Sequence, residues 1–222
     1  PAAKLAAVPA KVSVTSIVHK AEQTTLERPA FLSKDGLTAA EMGTALHAFL
    51  EHADFASLAA AKAAGTLEEA ILAERQRQVD TRLVAPEIAE KLNAGRIRRF
   101  AESEAFAKIC AAEKVLRELA FITALPASAV LTAQGASAQE AAAVQDEQVL
   151  VQGIADLVLV FDEHAEILDY KTDRSRDAQY YIDEYAAQLR LYRRAFAQRL
   201  SVPVTKLTIY SFAIGDEIDV PL

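Results

Sequence analysis

The spacing of apolar positions changes about halfway along the chain. From Ala39 to Ala64, alanine and leucine recur at helical intervals, and Asp54 interrupts the run where a cap between two helices would stand. Gly65 and Thr66 then punctuate. Leu67 to Leu83, Pro86 to Leu92 and Arg96 to Cys110 predict further helices, with Pro86 in a favourable first-turn position and Asn93 to Gly95 as a break. Ahead of them, Lys11 to Lys20 predicts a short β-rich lead in which Thr15 or Ser16 caps a helical turn. The second half follows strand patterns at Val115–Thr123, Val149–Phe161, Ala165–Thr172 and Lys206–Phe212, which together imply a mixed sheet. Between the first two strands, Ala127–Gln148 is rich in Ala, Ser and Gln and predicts a surface loop with at most a frayed helix. Asp177–Leu200 predicts one long amphipathic helix that places Tyr181, Tyr185, Gln188 and Tyr192 on a common face. The order of elements predicts an α/β core with a central mixed sheet, wrapped by an N-terminal helical section. One domain is expected over residues 1–222, mainly helical through residue 110 and sheet-containing from 111.

Composition narrows the class. With 222 residues, 52% hydrophobic, the chain can bury a sizeable core. Cys110 is the only cysteine, which excludes an internal disulfide framework and any four-cysteine zinc or iron–sulfur site built from this chain alone. A reducing, cytoplasmic setting is the simplest expectation. No apolar stretch approaches the length of a membrane span. The chain opens on Pro1 with no basic stretch leading into an apolar run, so a segment without a secretion signal is expected. A net charge of −7 argues against a freestanding nucleic-acid coat, but a site that gathers carboxylates for a metal is itself acidic.

The most informative stretch is Gly153-Ile154-Ala155-Asp156, followed by Asp169-Tyr170-Lys171-Thr172. On a strand, Asp169 and Lys171 share one face while Leu168 and Tyr170 take the other. A hairpin with an even-numbered loop around Asp162 and Glu163 sets Asp156 opposite Asp169, so two carboxylates converge beside one lysine. Such a set suits metal-assisted phosphodiester hydrolysis with Mg²⁺, or Mn²⁺ as a substitute. The alternative is a buried structural ion pair between Asp169 and Lys171.

The ordered segments Gly43-Thr44-Ala45-Leu46-His47-Ala48-Phe49-Leu50-Glu51, Arg117-Glu118-Leu119-Ala120-Phe121, Gly153–Asp156, Asp169–Thr172 and Gln188-Leu189-Arg190-Leu191-Tyr192 resemble the motifs of RecB-type nucleases in the PD-(D/E)XK superfamily. With the Val12–Thr15 lead, they are most similar to the C-terminal nuclease domains of AddA-type subunits of bacterial AddAB helicase-nucleases. The resemblance implies a PD-(D/E)XK fold and a Mg²⁺-dependent deoxyribonuclease that resects double-strand breaks for recombinational repair. It implies His47, Asp156, Asp169 and the main-chain carbonyl of Tyr170 as metal ligands, and Lys171 as the catalytic lysine beside Asp156 and Asp169. Gln188 and Tyr192 would support the site or contact DNA. Without the resemblance, His47 reads as a core or boundary histidine, and Gln188 and Tyr192 as part of an aromatic stripe. Glu51 shares a helical face with His47, and either orients its imidazole or forms a solvent ion pair. Glu118 either supports the site or pairs with an arginine. Arg190, Arg193, Arg194 and Arg199, with Lys91, Arg96, Arg98 and Arg99, are either DNA-backbone tracks or solvated helix faces. Implied partners are DNA, a helicase portion N-terminal in the same polypeptide, and an AddB-like partner subunit. No phosphate-cradling Gly-Lys-Ser/Thr loop is present, so unwinding must reside elsewhere, as must any iron–sulfur cluster. The rival readings are a catalytically inactive nuclease-like module for DNA binding or subunit docking, and a stand-alone RecB-type nuclease.

Overall fold

The structure, a computed structural model, describes residues 11–18 and 39–222; Pro1 and the last two residues of the Lys11–Lys20 lead lie outside them. Its centre is a mixed six-stranded sheet formed by β1 (Lys11–Ser13), β2 (Lys114–Pro126), β3 (Gln148–Val160), β4 (Ala165–Lys171), β5 (Val204–Ser211) and β6 (Asp216–Asp219). β3 pairs antiparallel with β2 from Lys114 opposite Val160 to Pro126 opposite Gln148, with a break at Glu118 and Asp156. On its other edge β3 has two partners in succession: β1 runs parallel to Leu150–Gln152, and β4 antiparallel to Leu157–Val160. Between them, residues Gly153–Asp156 have no strand neighbour on that side among the described residues. β4 continues parallel to β5, and β5 pairs antiparallel with β6.

Helices cover both faces. After the short α1 (Val14–Val18) come α2 (Ala39–His52), α3 (Phe55–Ala64), α4 (Leu67–Asp80), α5 (Pro86–Ala89), α6 (Ala94–Glu102) and α7 (Glu104–Ala111). α8 (Ala127–Ala133) and α9 (Ala138–Ala142) follow β2, and α10 (Ala178–Phe196) links β4 to its parallel neighbour β5. Asp54 caps α3 by accepting from the Ser57 amide, and Gly65 ends that helix at a φ of 78°. Asp177 caps α10. One core lies between the sheet and α10, from Val151, Val158 and Ile167 to Tyr181, Leu189 and Phe196. The second packs α2–α4, α6 and α7 on the other face, where Phe49, Leu50, Phe100 and Phe106 meet Leu157, Leu168, Tyr170, Tyr210 and Phe212.

Three expectations are corrected. The cap of the first helical turn is Ser13, whose hydroxyl accepts from the Ser16 amide, because the helix starts at Val14 directly after the strand, ahead of both Thr15 and Ser16. The predicted Arg96–Cys110 helix is two helices: the Ser103 hydroxyl accepts from the Phe106 amide and starts a new one. Ala127–Gln148 is no mere surface loop, since α8 and α9 bury Ala127, Ala129, Val130 and Ala141, and the turn after α9 buries Val144. Their small side chains pack closely, which low-complexity composition conceals.

α2 is held with unusual completeness. The last four carbonyls of a helix lack partners within it. Here Phe49 O accepts from Gln78 Nε2, Leu50 O and Glu51 O from Arg117 Nη1, and His52 O from Arg77 Nη2. Arg117 also bonds Ala53 O at 2.6 Å and stacks 3.9 Å from the Phe55 ring. Gln78 and Glu74 are buried polar residues of α4, and Glu74 accepts from Arg77, Gln78 and the Asp54 amide.

Candidate metal centre

The gap in the β3 edge is where the predicted site residues meet. Phe161 and His164 close the hairpin around Asp162 and Glu163, with Phe161 N donating to His164 O at 2.8 Å, and the ladder runs back to Leu157 opposite Leu168. One further rung brings Asp156 level with Asp169, but there the strands part. The Tyr170 amide, which the ladder no longer serves, donates to Asp156 Oδ2 at 2.7 Å.

A second irregularity coincides with the first. Along β2, Arg117 points to the α2 face, whereas Leu119 and Phe121 pack toward α10. Along β3, Leu157 and Leu159 face the helical section, whereas Ala155 and Val151 face α10. Both strands therefore exchange faces at one rung, Glu118 opposite Asp156, and Glu118 takes a φ of 43°, the left-handed region that non-glycine residues seldom adopt. Two carboxylates are thus lifted out of both cores toward the gap.

His47 arrives from α2. Its Nδ1 lies 3.6 Å from Asp156 Oδ1 and 4.0 Å from Glu118 Oε1, and its ring meets Tyr170 edge-on at 5.9 Å. Gly43, one turn earlier, permits this approach: a Cβ there would stand 2.7 Å from Thr172 Oγ1. His47, Glu118 and Asp156 present donor atoms all within 4.8 Å of one another, a nitrogen and two carboxylate oxygens that fit a divalent cation. Beside them Asp169, only 2% exposed, forms an ion pair with Lys171, as the face-sharing of the two residues requires. Glu51 turns away to His52 Nε2 at 3.8 Å, and His47 is flanked by Asp156 and Glu118 instead. Glu118 has no arginine within ion-pair distance among the described residues, because Arg117 spends its guanidinium on the α2 carbonyls.

Charge is finely balanced here. Burial pulls the His47 imidazole down, but Asp156 as bonding partner and anion, with Asp169, outweighs it and leaves the group raised. Burial also penalises the Asp156 carboxylate, yet His47, Lys171 and the Tyr170 amide hold it below its usual range. Burial, reinforced by Asp156 and opposed by Lys171, pushes Asp169 up to about 6. Burial and the Asp156 charge push Glu118 up to about 7. The two carboxylates keep Lys171 raised against its own burial.

On the other side of the gap stands α10. Gln188 and Tyr192 are both buried and bonded to each other, Gln188 Nε2 to Tyr192 Oη at 2.8 Å. Gly153 makes room for the Tyr192 and Phe121 rings, since a Cβ there would come within 3.1 Å of the first and 2.8 Å of the second. Several candidate DNA-track arginines have structural partners: Arg190 reaches Pro221 O, Arg193 reaches Val204 O, and Arg98 pairs with Glu102. Periodicity alone could not place Glu118, because the face exchange in mid-strand breaks the period of two at its own rung, nor the α2 clamp, which long-range contacts make; the family resemblance and an acid in the apolar Val115–Phe121 run were the signals that pointed to Glu118.

Residues 20–217 match the family described as the PD-(D/E)XK nuclease superfamily. The chain is 32% identical over 194 aligned positions, 83% of its length, to an ATP-dependent helicase/nuclease subunit of Geobacillus thermodenitrificans. Over 99% of its length it is 32% identical to the protein of the same name from Desulforamulus reducens, and over 86% it is 34% identical to that from Heliobacterium modesticaldum. It spans 14%, 18% and 13% of these relatives respectively. No helix among the described residues is long and apolar enough to cross a membrane.

Proposed function

The chain belongs to the PD-(D/E)XK nuclease superfamily, and from that premise we propose that it hydrolyses DNA phosphodiester bonds at the His47, Asp156, Asp169 and Lys171 cluster with Mg²⁺ as cofactor. The observation that carries this reading is the meeting of His47, Glu118 and Asp156 donors beside the Asp169–Lys171 pair at the break in the β3 edge. His47, Asp156 and Asp169, with the Tyr170 carbonyl, would hold the ion, and Glu118 adds a further oxygen at the same place. A bound divalent ion supplies Lewis acidity toward the phosphate and lowers the pKa of bound water.

The chain's own groups do the rest. Asp156, fixed by the Tyr170 amide, holds its carboxylate in one direction. Lys171 is cationic and close to the carboxylates, so it neutralises charge developing on phosphate oxygens or orients the attacking water. Buried Gln188 and Tyr192 support the site from behind. Both cores draw on the same sheet, which supports one nuclease domain comprising the helical section and the strands.

The relatives' shared name couples a helicase with a nuclease, and this chain corresponds to a small share of their length. We therefore read it as the nuclease module of an AddA-type machine, joined to a motor in the same polypeptide, paired with an AddB-like partner and resecting broken chromosomal DNA in the cytoplasm. The test is cleavage of end-labelled single-stranded DNA with and without Mg²⁺. Asp169→Ala and Lys171→Ala should each lower the rate on the order of 10³-fold while the fold survives. Cleavage persisting in excess EDTA would reject the metal-dependent reading.

A further inference from the structure

Lys171 has a second neighbour that the proposed chemistry does not use. Its Nζ lies 4.5 Å from the centre of the Tyr185 ring, which α10 presents from the side opposite His47. Tyr185 is itself fixed: its hydroxyl donates to Asp173 Oδ1 at 3.0 Å, and it is 8% exposed. Asp173 stands two residues beyond Lys171, so the ring is tied to the strand end whose lysine it touches. The Asp173 backbone is pinned in turn, since the Tyr181 hydroxyl lies 2.9 Å from the carbonyl oxygens of both Asp173 and Ser175. Tyr180 adds a longer contact to Asp173 Oδ1 at 3.5 Å.

We propose that Tyr185 is a positioning residue for Lys171, its ring face holding the ammonium beside Asp169 through a cation–π contact that Asp173 aligns. The inference rests on Lys171 being the catalytic lysine. A lysine stem has four rotatable carbon–carbon bonds, and an ion pair alone fixes the end of such a stem poorly once a cation competes for the carboxylate. When Asp169 turns to a metal, the ring face remains as an attractive surface that needs no hydrogen bond and no particular rotation of the ammonium. Tyr185 thus keeps Lys171 in place through the change that loading the site demands. The aromatic ring carries the effect and the hydroxyl only orients it, which separates this role from that of a core tyrosine.

The test uses the chain itself, labelled with ¹³C at the lysine ε carbons, and two readouts. The ε protons of Lys171, identified by their absence in Lys171→Arg, should show an upfield ring-current displacement that Tyr185→Phe retains and Tyr185→Leu abolishes. In Mg²⁺-dependent cleavage, Tyr185→Leu should lower kcat about tenfold or more with KM within about twofold, whereas Tyr185→Phe keeps at least about a third of wild-type kcat. An undisplaced Lys171 resonance in the wild type, or a Tyr185→Phe variant as impaired as Tyr185→Leu, would overturn the proposal. Cleavage surviving in Lys171→Ala would instead sink the functional reading, and the ring-current result would still report whether Tyr185 holds the lysine.

Discussion

Glu118 shows how much one residue can concentrate. Its left-handed φ stands in mid-strand, while the burial of its carboxylate and the proximity of Asp156 raise the cost of the ionised form, so its pKa rises to about 7. A carboxyl whose folded pKa lies above its ordinary value stabilises the fold below that ordinary value and loses the contribution as pH climbs through the folded one. Glu118→Gln should therefore be more stable than the wild type near about pH 8, by roughly 1 to 2 kcal/mol after solvent screening, with the gap closing toward about pH 5. Denaturant unfolding across that range checks it; a gap that widens on acidification would contradict it. Metal affinity follows the same protons. His47, Asp169 and Glu118 must all be deprotonated to act as ligands, and all three titrate above their usual values, so Mn²⁺ affinity should fall as pH drops through 7 toward 6. Asp169 and Lys171 could be set together from the sequence because a period of two puts them on one strand face, and the short hairpin loop brings Asp156 level with Asp169, although the parting of the strands at that rung was not foreseeable from either. Glu118 as a neighbour of His47 was not, because the exchange of faces at its rung violates that period.

Among the elements, α2 decides whether the site assembles. It rests against the end of β4 through Gly43, where a methyl group would meet Thr172 Oγ1. Gly43→Ala should cost about 1 to 3 kcal/mol through overpacking. Thr172→Ala removes the obstructing oxygen, so the double variant should regain that loss and gain the helix propensity of alanine, up to about 1 kcal/mol. Thermal unfolding of the four members of this cycle measures the coupling, and strict additivity would show that the contact is not what makes Gly43 necessary. The helices themselves were readable from spacing and caps such as Asp54 and Asp177. The clamp on α2 was hidden: Gln78, Arg77 and Arg117 look like surface residues until their donors are seen to satisfy the helix's last carbonyls. Ser103 likewise reads as an ordinary helical position until its hydroxyl caps α7.

At the scale of the molecule, a sheet with a core on each face brings together two groups of helices that never touch the site alone. The helical section delivers His47, and α10 delivers the aromatic support. Phe100 is the joint, edge-on to Tyr170 at 5.4 Å and to Tyr210 at 4.9 Å from the sheet, and to Phe106 at 5.7 Å from the helices. Phe100→Ala should cost about 3 to 5 kcal/mol. Unfolding should remain a single transition with it, as expected if section and sheet form one cooperative unit; a separate early loss of helix would argue for two. The α/β class and the order of helices and strands could be read from the text, whereas the split edge of β3 could not, since the pairing of β1 with Leu150–Gln152 is a long-range contact with no local signature. Whether that split edge holds a cation is tested most directly by anomalous diffraction from crystals soaked in Mn²⁺. One peak is predicted, within ligand distance of His47 and Asp156 with Asp169 swung from Lys171 toward it; density that leaves this cluster empty at millimolar Mn²⁺ would contradict cation binding there.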